Sequence, residues 1–238
     1  MHLLVILNVI FVSIVCANPV PPELTKCLST DSKCLKSVTQ AMIPKFASGL
    51  EIFNIKSLDP MGIEKVDAST PNLKLFLSNI KVTGLKDCTA KKIERDAAKK
   101  ILSVTLLCNA DVEGNYDMKG RLLVLPLEGN DKFQVKLNKA IFKVEGKYDV
   151  INKDGKTYWD IKSWDHAYKL QEKSSVHFEN LFNGNKDLAK AAQDVIESNG
   201  NEIIDEVGPP VIKAIVASIV EGVQEFFHAI PAEDLALD

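Results

Sequence analysis

The sequence lacks the marks of the common enzyme classes and of nucleic-acid binders. It contains no Gly-x-Ser-x-Gly elbow, no His-Glu-x-x-His pair, no P-loop and no Gly-x-Gly-x-x-Gly turn. Lys plus Arg number 29 against 32 for Asp plus Glu, so the chain has no basic excess with which to bind phosphates. No Asn-x-Ser/Thr sequon is present, so N-linked glycosylation is not expected. We therefore expect neither an enzyme nor a cofactor-dependent or nucleic-acid-binding protein.

Long hydrophobic runs are also scarce, and the clearest one opens the chain. Residues 3–15 are apolar except for Asn8 and Ser13, and small-residue chemistry follows at Val15-Cys16-Ala17. This stretch is too short to span a bilayer but is typical of a secretory signal. We predict a cleaved signal peptide over residues 1–17, a single domain over 18–238, extracellular localisation and no transmembrane segment. The alternative for the apolar run is a buried N-terminal strand.

Cysteines are few, and their number changes if the signal is removed. Of five cysteines, Cys16 leaves with the signal, and an even number remains in a secreted chain, which favours disulfides. Three connectivities are open in principle. Cys27 lies just before a predicted helix that carries Cys34, and Cys88 and Cys108 are equally far from a turn centred on residue 98. We therefore favour Cys27–Cys34 and a cross-strand Cys88–Cys108 bridge.

Zinc is the competing interpretation of these cysteines. The zinc interpretation is disfavoured because Cys27 and Cys34 are not accompanied by a second pair of closely spaced cysteines. The histidines His166, His177 and His228 are scattered and do not have the spacing of zinc ligands. We predict no metal site. His166 and His177 are interpreted as residues on the polar face of strands rather than as acid–base groups.

Hydrophobic periodicity divides the mature chain into a helix, a long β region and a second helical region. Helical spacing covers residues 31–47, with Asp31 or Ser32 as the N-terminal cap and Gly49 as the stop. Alternation with a period of two continues from about 50 to 182. We expect a strongly twisted, largely antiparallel sheet of long strands. Turn signals stand at residues 113–115, 128–131 and 152–155.

Beyond Gly184 the apolar spacing becomes helical again and continues almost to the end of the chain. It includes Val207, Val211, Ile215 and Ile219, which follow i, i+4 spacing and therefore lie on one helix face. Gly200 and the Gly-Pro-Pro run at 208–210 predict breaks. Such an apolar helix needs a long apolar surface to cover, which a curved sheet would supply.

Several motifs then carry a resemblance over almost the whole mature chain. They are Cys27 and Cys34 around the first helix, Leu58-Asp59-Pro60, the segment 114–120 (Gly-Asn-Tyr-Asp-Met-Lys-Gly), the segment 123–127 (Leu-Val-Leu-Pro-Leu) with Gly129, the segment 180–185 (Asn-Leu-Phe-Asn-Gly-Asn) with Leu188, and the closing Phe227, Pro231 and 233–235. In order and spacing the chain resembles the takeout and juvenile-hormone-binding proteins of arthropods, members of the tubular lipid-binding superfamily. The second cysteine pair and Asn199-Gly200-Asn201 depart from the pattern that we expect of that family.

The resemblance implies an α+β super-roll. A long C-terminal helix would be wrapped by a highly curved antiparallel sheet, with an elongated hydrophobic cavity between them. It also implies a secreted carrier of a small hydrophobic ligand, such as a terpenoid like juvenile hormone or a fatty-acid-like molecule, and in some members a link to circadian rhythm. A receptor or another extracellular protein stays open as a further partner, and its identity is unknown.

Combining this fold with the apolar patterns gives a predicted set of cavity-lining residues. They are Leu75, Leu77, Leu106, Leu125, Phe133, Val135, Phe142, Trp159, Val207, Val211, Ile215 and Ile219. The alternative function is a secreted lipid-surface or immune protein that engages membranes or microbial lipids.

Overall fold

The computed structural model describes residues 20–238, and the predicted signal peptide over residues 1–17 lies outside the described residues. The helices are α1 (Ser32–Ser48), α2 (Lys186–Ser198), α3 (Gly200–Val207), α4 (Pro209–Ala229) and α5 (Ala232–Leu235). The strands are β1 (Met61–Asp67), β2 (Leu73–Thr83), β3 (Thr89–Asp96), β4 (Ile101–Leu122), β5 (Leu125–Lys153), β6 (Lys156–Leu170) and β7 (Ser175–Phe178). Short 3₁₀ turns cover Glu51–Phe53, Leu85–Asp87 and Phe182–Gly184.

The strands form one antiparallel sheet in the order β1-β2-β4-β5-β6, with β3 added to β4 and β7 added to β5. β4 and β5 have 22 and 29 residues, so each pairs with different neighbours along its length. β4 pairs with β3 near its start and with β2 beyond a register shift between Cys108 and Ala110. Such a shift bends the strand and increases its twist.

Helix α4 contacts both edge strands of the main path, β1 and β6. Its Gln224 accepts a hydrogen bond from the backbone N–H of Ile161 at 2.7 Å, so part of the exposed edge of β6 is satisfied by the helix. A sheet whose two edges meet the same helix is curled around the space between them. The α+β architecture with a curved antiparallel sheet and a long C-terminal helix is therefore confirmed.

Apolar side chains gather in two clusters inside the curl. The main core lies between the sheet and α2, α3 and the first half of α4, and includes Leu75, Phe133 and Val207. The second cluster joins α1, the far half of α4 and the end of the β5–β6 hairpin, and includes Phe53, Trp159 and Phe227.

The N-terminal helix begins and ends where the sequence predicts. The Asp31 carboxylate accepts a hydrogen bond from the backbone N–H of Cys34 at 3.0 Å, and Gly49 follows the last turn. Disulfides join Cys27 to Cys34 and Cys88 to Cys108, which are the pairs that the sequence favours.

Two of the three predicted turns are wrong. β4 runs without interruption through residues 113–115, where Gly114 lets the strand approach the Ser78 carbonyl; a Cβ there would lie 2.8 Å from its oxygen. β5 likewise runs through residues 128–131. The connection between β4 and β5 lies instead at Leu123-Val124, which carries neither Gly nor Pro. The predicted turn at residues 152–155 is correct.

The C-terminal helical region breaks where its glycines and prolines predict. α2 ends before Gly200, and α3 ends at Val207 before Gly208. Pro209 and Pro210 occupy the first turn of α4, where a missing N–H breaks no helical hydrogen bond.

Candidate functional site

An apolar cavity of about 60 Å³ lies in the main core, between the sheet and helices α3 and α4. Its wall consists of aliphatic and phenyl side chains and Gly208, with no charged or hydrogen-bonding side chain among its lining residues. A second, wider cleft of about 740 Å³ is lined by charges of both signs, including Glu94, Lys99, Lys143 and Glu145. Of these two sites, only the apolar cavity would let an apolar molecule give up its hydration water without also removing water from charged side chains.

Part of the predicted lining set lies in the cavity wall. These residues are Leu75, Leu77, Phe133, Val135, Val207, Val211 and Ile215. Sequence reasoning missed a further group in the same wall, namely Val112, Leu137, Val176, Phe178, Ile203, Ile204 and Ile212. Most of the missed strand residues continue the same alternation, so the period-two pattern carried the necessary signal.

The other predicted residues lie outside this wall. Leu125, Phe142 and Ile219 are partly buried against the main core. Leu106 is half-buried and stands directly opposite Phe142 in the sheet, so the two side chains share a face. They extend the apolar inner surface beyond the cavity rather than line it.

Trp159 belongs to the second cluster, where it packs edge-on against Phe227 with ring centroids 5.2 Å apart. The sequence predicts that Trp159 and Trp164 face opposite sides of the sheet unless a bulge intervenes. A register shift between Lys147 and Tyr148 leaves one residue of β6 unpaired and supplies that bulge. Both tryptophans consequently contribute to apolar packing, but at different ends of the curl.

The inward face of β6 carries polar groups as well as apolar ones. Trp164, His166, Tyr168 and Leu170 are half-buried, whereas the residues between them are exposed. The sequence predicts His166 on the polar face of its strand. This prediction is wrong, because the bulge shifts the alternation of β6 and turns the His166 side chain inward. His177 on β7 is exposed, as predicted.

The electrostatics of this row differ from residue to residue. Burial is the largest cause that raises the pKa of the Tyr168 hydroxyl to about 12, and the neighbouring Asp205 carboxylate contributes in the same direction. The Nδ1 atom of His166 is inaccessible to solvent and has no hydrogen-bond partner among the described residues. Its ring lies 5.8 Å from that of Trp164.

The second cluster is closed by a buried arginine. Arg95 places its guanidinium 5.2 Å from the centre of the Trp159 ring and hydrogen-bonds to the backbone carbonyl of Asp238 at 3.0 Å and to its carboxylate. The pKa of the Asp238 carboxyl is lowered, chiefly by hydrogen bonds from Ser29 and then by Arg95. These polar contacts tie the last residues to the sheet and lie apart from the apolar cavity.

No cluster of His, Cys, Asp and Glu side chains that would suit a metal ion occurs within residues 20–238. Over the same residues, no helix combines the length and hydrophobicity needed to cross a membrane.

Known proteins resemble this chain over nearly its full length. The sequence profile of the haemolymph juvenile hormone binding protein family matches residues 4–237. The circadian clock-controlled protein daywake of Drosophila melanogaster is 25% identical over 229 residues, which cover 90% of this chain and 87% of daywake. The daywake protein of Drosophila yakuba is 24% identical over the same shares.

A solved structure shows the same fold. The crystal structure of Epiphyas postvittana Takeout 1 superimposes with a TM-score of 0.86 at 26% identity, covering 90% of this chain and 99% of that one. The family profile spans more than the whole described domain, and the chain therefore belongs to the haemolymph juvenile hormone binding protein family.

Proposed function

We propose that the protein is a secreted carrier that binds one small hydrophobic ligand between the curled sheet and helices α3 and α4, without turning it over. The ligand class is a terpenoid such as juvenile hormone, or a fatty-acid-like molecule. The observation that carries this proposal is the cavity wall, which is built from apolar side chains of the sheet and both helices.

The size of the cavity sets a condition on binding. Small-molecule sites commonly measure about 300–1,000 Å³, whereas this cavity measures about 60 Å³. The ligand must therefore widen the space between the sheet and the helices. The half-buried inner side chains Leu106, Phe142 and Ile219 mark the direction in which apolar surface continues.

The energetics favour such a ligand once the space opens. Burying roughly 400–500 Å² of apolar surface contributes about 10–12 kcal/mol at about 25 cal/mol per Å². Loss of translational and rotational freedom costs at least about 4 kcal/mol. The remainder is at most about 6–8 kcal/mol, which corresponds to a dissociation constant of about 1 μM to tens of μM, and the cost of widening the space weakens binding further.

The test compares two substitutions on α4. Ile215 lines the cavity, whereas Lys213, two residues earlier, is exposed. An apolar fluorescent probe should bind the wild-type protein and be displaced intact by a terpenoid or a fatty acid. Ile215→Glu should weaken probe binding by about tenfold or more, because a carboxylate in the apolar wall must be desolvated or protonated. Lys213→Glu should bind like the parent.

Two results would contradict the proposal. One is an Ile215→Glu variant that folds and binds like the parent, and the other is a hydrolysed product in place of the intact displaced ligand. Native mass spectrometry of the secreted protein, with extraction and identification of co-purifying lipids, would give the natural ligand. Co-sedimentation with liposomes by a protein that takes up no soluble ligand would favour the lipid-surface alternative.

A further inference from the structure

We propose that His166 is the polar anchor of the carried ligand. In this proposal, which rests on the proposed function, the Nδ1 atom hydrogen-bonds to a hydroxyl or carbonyl oxygen at one end of an otherwise apolar chain. The protein would then select oxygenated lipids over plain hydrocarbons of the same skeleton.

The row of paired residues that runs from His166 across the sheet is apolar. Across the sheet it stands opposite Val144, which stands opposite Val104, which stands opposite Ile93. Directly paired residues point to the same face of a sheet, so the imidazole lies at the end of an apolar row. A buried polar atom without a partner is unfavourable and rare in folded proteins, so a site of this kind calls for a binding partner.

No described side chain provides that partner. The Nδ1 atom of His166 is inaccessible to solvent and unbonded within residues 20–238. Tyr168, the next inward residue of β6, has the Asp205 carboxylate as a neighbour of its hydroxyl. His166 is the residue of this row that has a solvent-inaccessible ring nitrogen without a hydrogen-bond partner among residues 20–238.

The position suits the end of an elongated ligand. Leu137 lies in the cavity wall, and Val144, opposite His166, follows seven residues later on β5. At about 3.3 Å per residue, the separation is about 23 Å along the strand. A long-chain lipid or a terpenoid lying in the cavity could extend along the half-buried inner face of β5 and β6 toward His166. An alcohol oxygen both donates and accepts, so it satisfies Nδ1 in either tautomer.

The experiment measures a preference rather than a single affinity. Octadecanol and octadecane share a linear carbon chain that is long enough to reach from the cavity to His166, but only octadecanol carries a hydroxyl. Their ability to displace a fluorescent apolar probe from the wild-type protein is measured, and the ratio of their dissociation constants is recorded. His166→Phe and His166→Leu, which remove the hydrogen-bonding atoms, should shift that ratio toward octadecane by about tenfold. His166→Gln, which keeps a hydrogen-bonding group, should restore most of the preference.

The matched control is His177→Phe, which removes the exposed histidine of β7 and should leave the ratio unchanged. An unchanged ratio in the Phe and Leu variants of His166, with both ligands still bound, would overturn the anchor and leave the carrier function standing. An equal shift in the His177 control would also overturn it. If neither ligand displaces the probe from the wild-type protein, the proposed carrier function itself fails.

Discussion

Replacement of Gly200 by alanine tests how closely the α2–α3 junction approaches the sheet. A Cβ at Gly200 would lie 2.2 Å from the carbonyl oxygen of Ser174, a fully buried residue just before β7. The junction is also joined to this segment by Asn201, whose side chain accepts from the Ser174 N–H at 2.9 Å and donates to the Glu172 carbonyl at 3.2 Å. Gly200→Ala therefore forces together two segments that have no free space between them.

The expected cost follows from three contributions. The methyl group and the carbonyl must move apart by more than about 1 Å to reach ordinary contact, and overpacking of this kind costs about 1–3 kcal/mol. Weakening the two hydrogen bonds of Asn201 adds about 1 kcal/mol each at most. Alanine recovers about 1 kcal/mol relative to glycine in a helix. The midpoints of these contributions sum to a net destabilisation of about 2 kcal/mol, or a melting temperature lower by about 4–8 °C for a domain of this size.

Thermal and urea unfolding of Gly200→Ala and Gly62→Ala would measure this cost. Gly62 is the matched control because a Cβ there meets no atom within 4 Å, so its substitution should change stability by less than about 0.5 kcal/mol. Probe binding should also weaken in Gly200→Ala, since α3 carries Ile203, Ile204 and Val207 into the cavity wall. A Gly200→Ala protein that melts with the parent would refute the close approach described here.

Three further predictions concern single hydrogen-bonded groups. Burial raises the pKa of the Tyr116 hydroxyl to about 12, so the contribution of this residue to stability is lost as pH rises from 10 toward 12. In Tyr116→Phe, the stability measured by unfolding in alkaline buffer should therefore depend less on pH over that range. The lowered pKa of Asp238 gives the opposite sign. Asp238→Asn should lower the melting temperature at neutral pH, through weaker hydrogen bonds from Ser29 and loss of the ion pair with Arg95, and the difference should vanish as pH falls below about 4. Gln224→Ala leaves the Ile161 N–H without its acceptor and should cost about 1–3 kcal/mol in urea unfolding, whereas an unchanged midpoint would mean that this edge is not held by α4.

The sequence predicted element types better than strand connections. Alternating and helical periods identified α1, the sheet and the C-terminal helices because each buries one face along its whole length. Glycine was misleading at Gly114, where it lets one strand pass close to Ser78 rather than marking a turn. The connection at Leu123-Val124 gave no turn signal, and the Leu123 N–H is instead bound by the Glu206 carboxylate at 3.1 Å. That contact spans distant parts of the chain, so local patterns do not reveal it.

The candidate site was partly predictable for the same reason. The stripe on the helices follows from i, i+4 spacing, and Val207, Val211 and Ile215 line the cavity. The inward position of His166 could have been inferred from its place between Trp164 and Tyr168 at alternate positions. The bulge that puts Trp159 and Trp164 in separate clusters depends on pairing with β5 and has no sequence signal of its own.

The break in the C-terminal helical region determines which residues form the helical part of the cavity wall. Ile203 and Ile215 both line the cavity, although in a straight α-helix residues twelve positions apart face directions about 120° apart. The break at Gly208 lies between them, and a side chain there would bring its Cβ within 2.3 Å of the Ile204 carbonyl oxygen. The bend therefore lets two successive helices present their apolar faces to the same space, with Gly208 itself in the wall. Pro209 and Pro210 have no N–H groups, so the row of backbone hydrogen bonds along α3 does not continue unbroken into α4, and the two helices are separate segments on either side of Gly208.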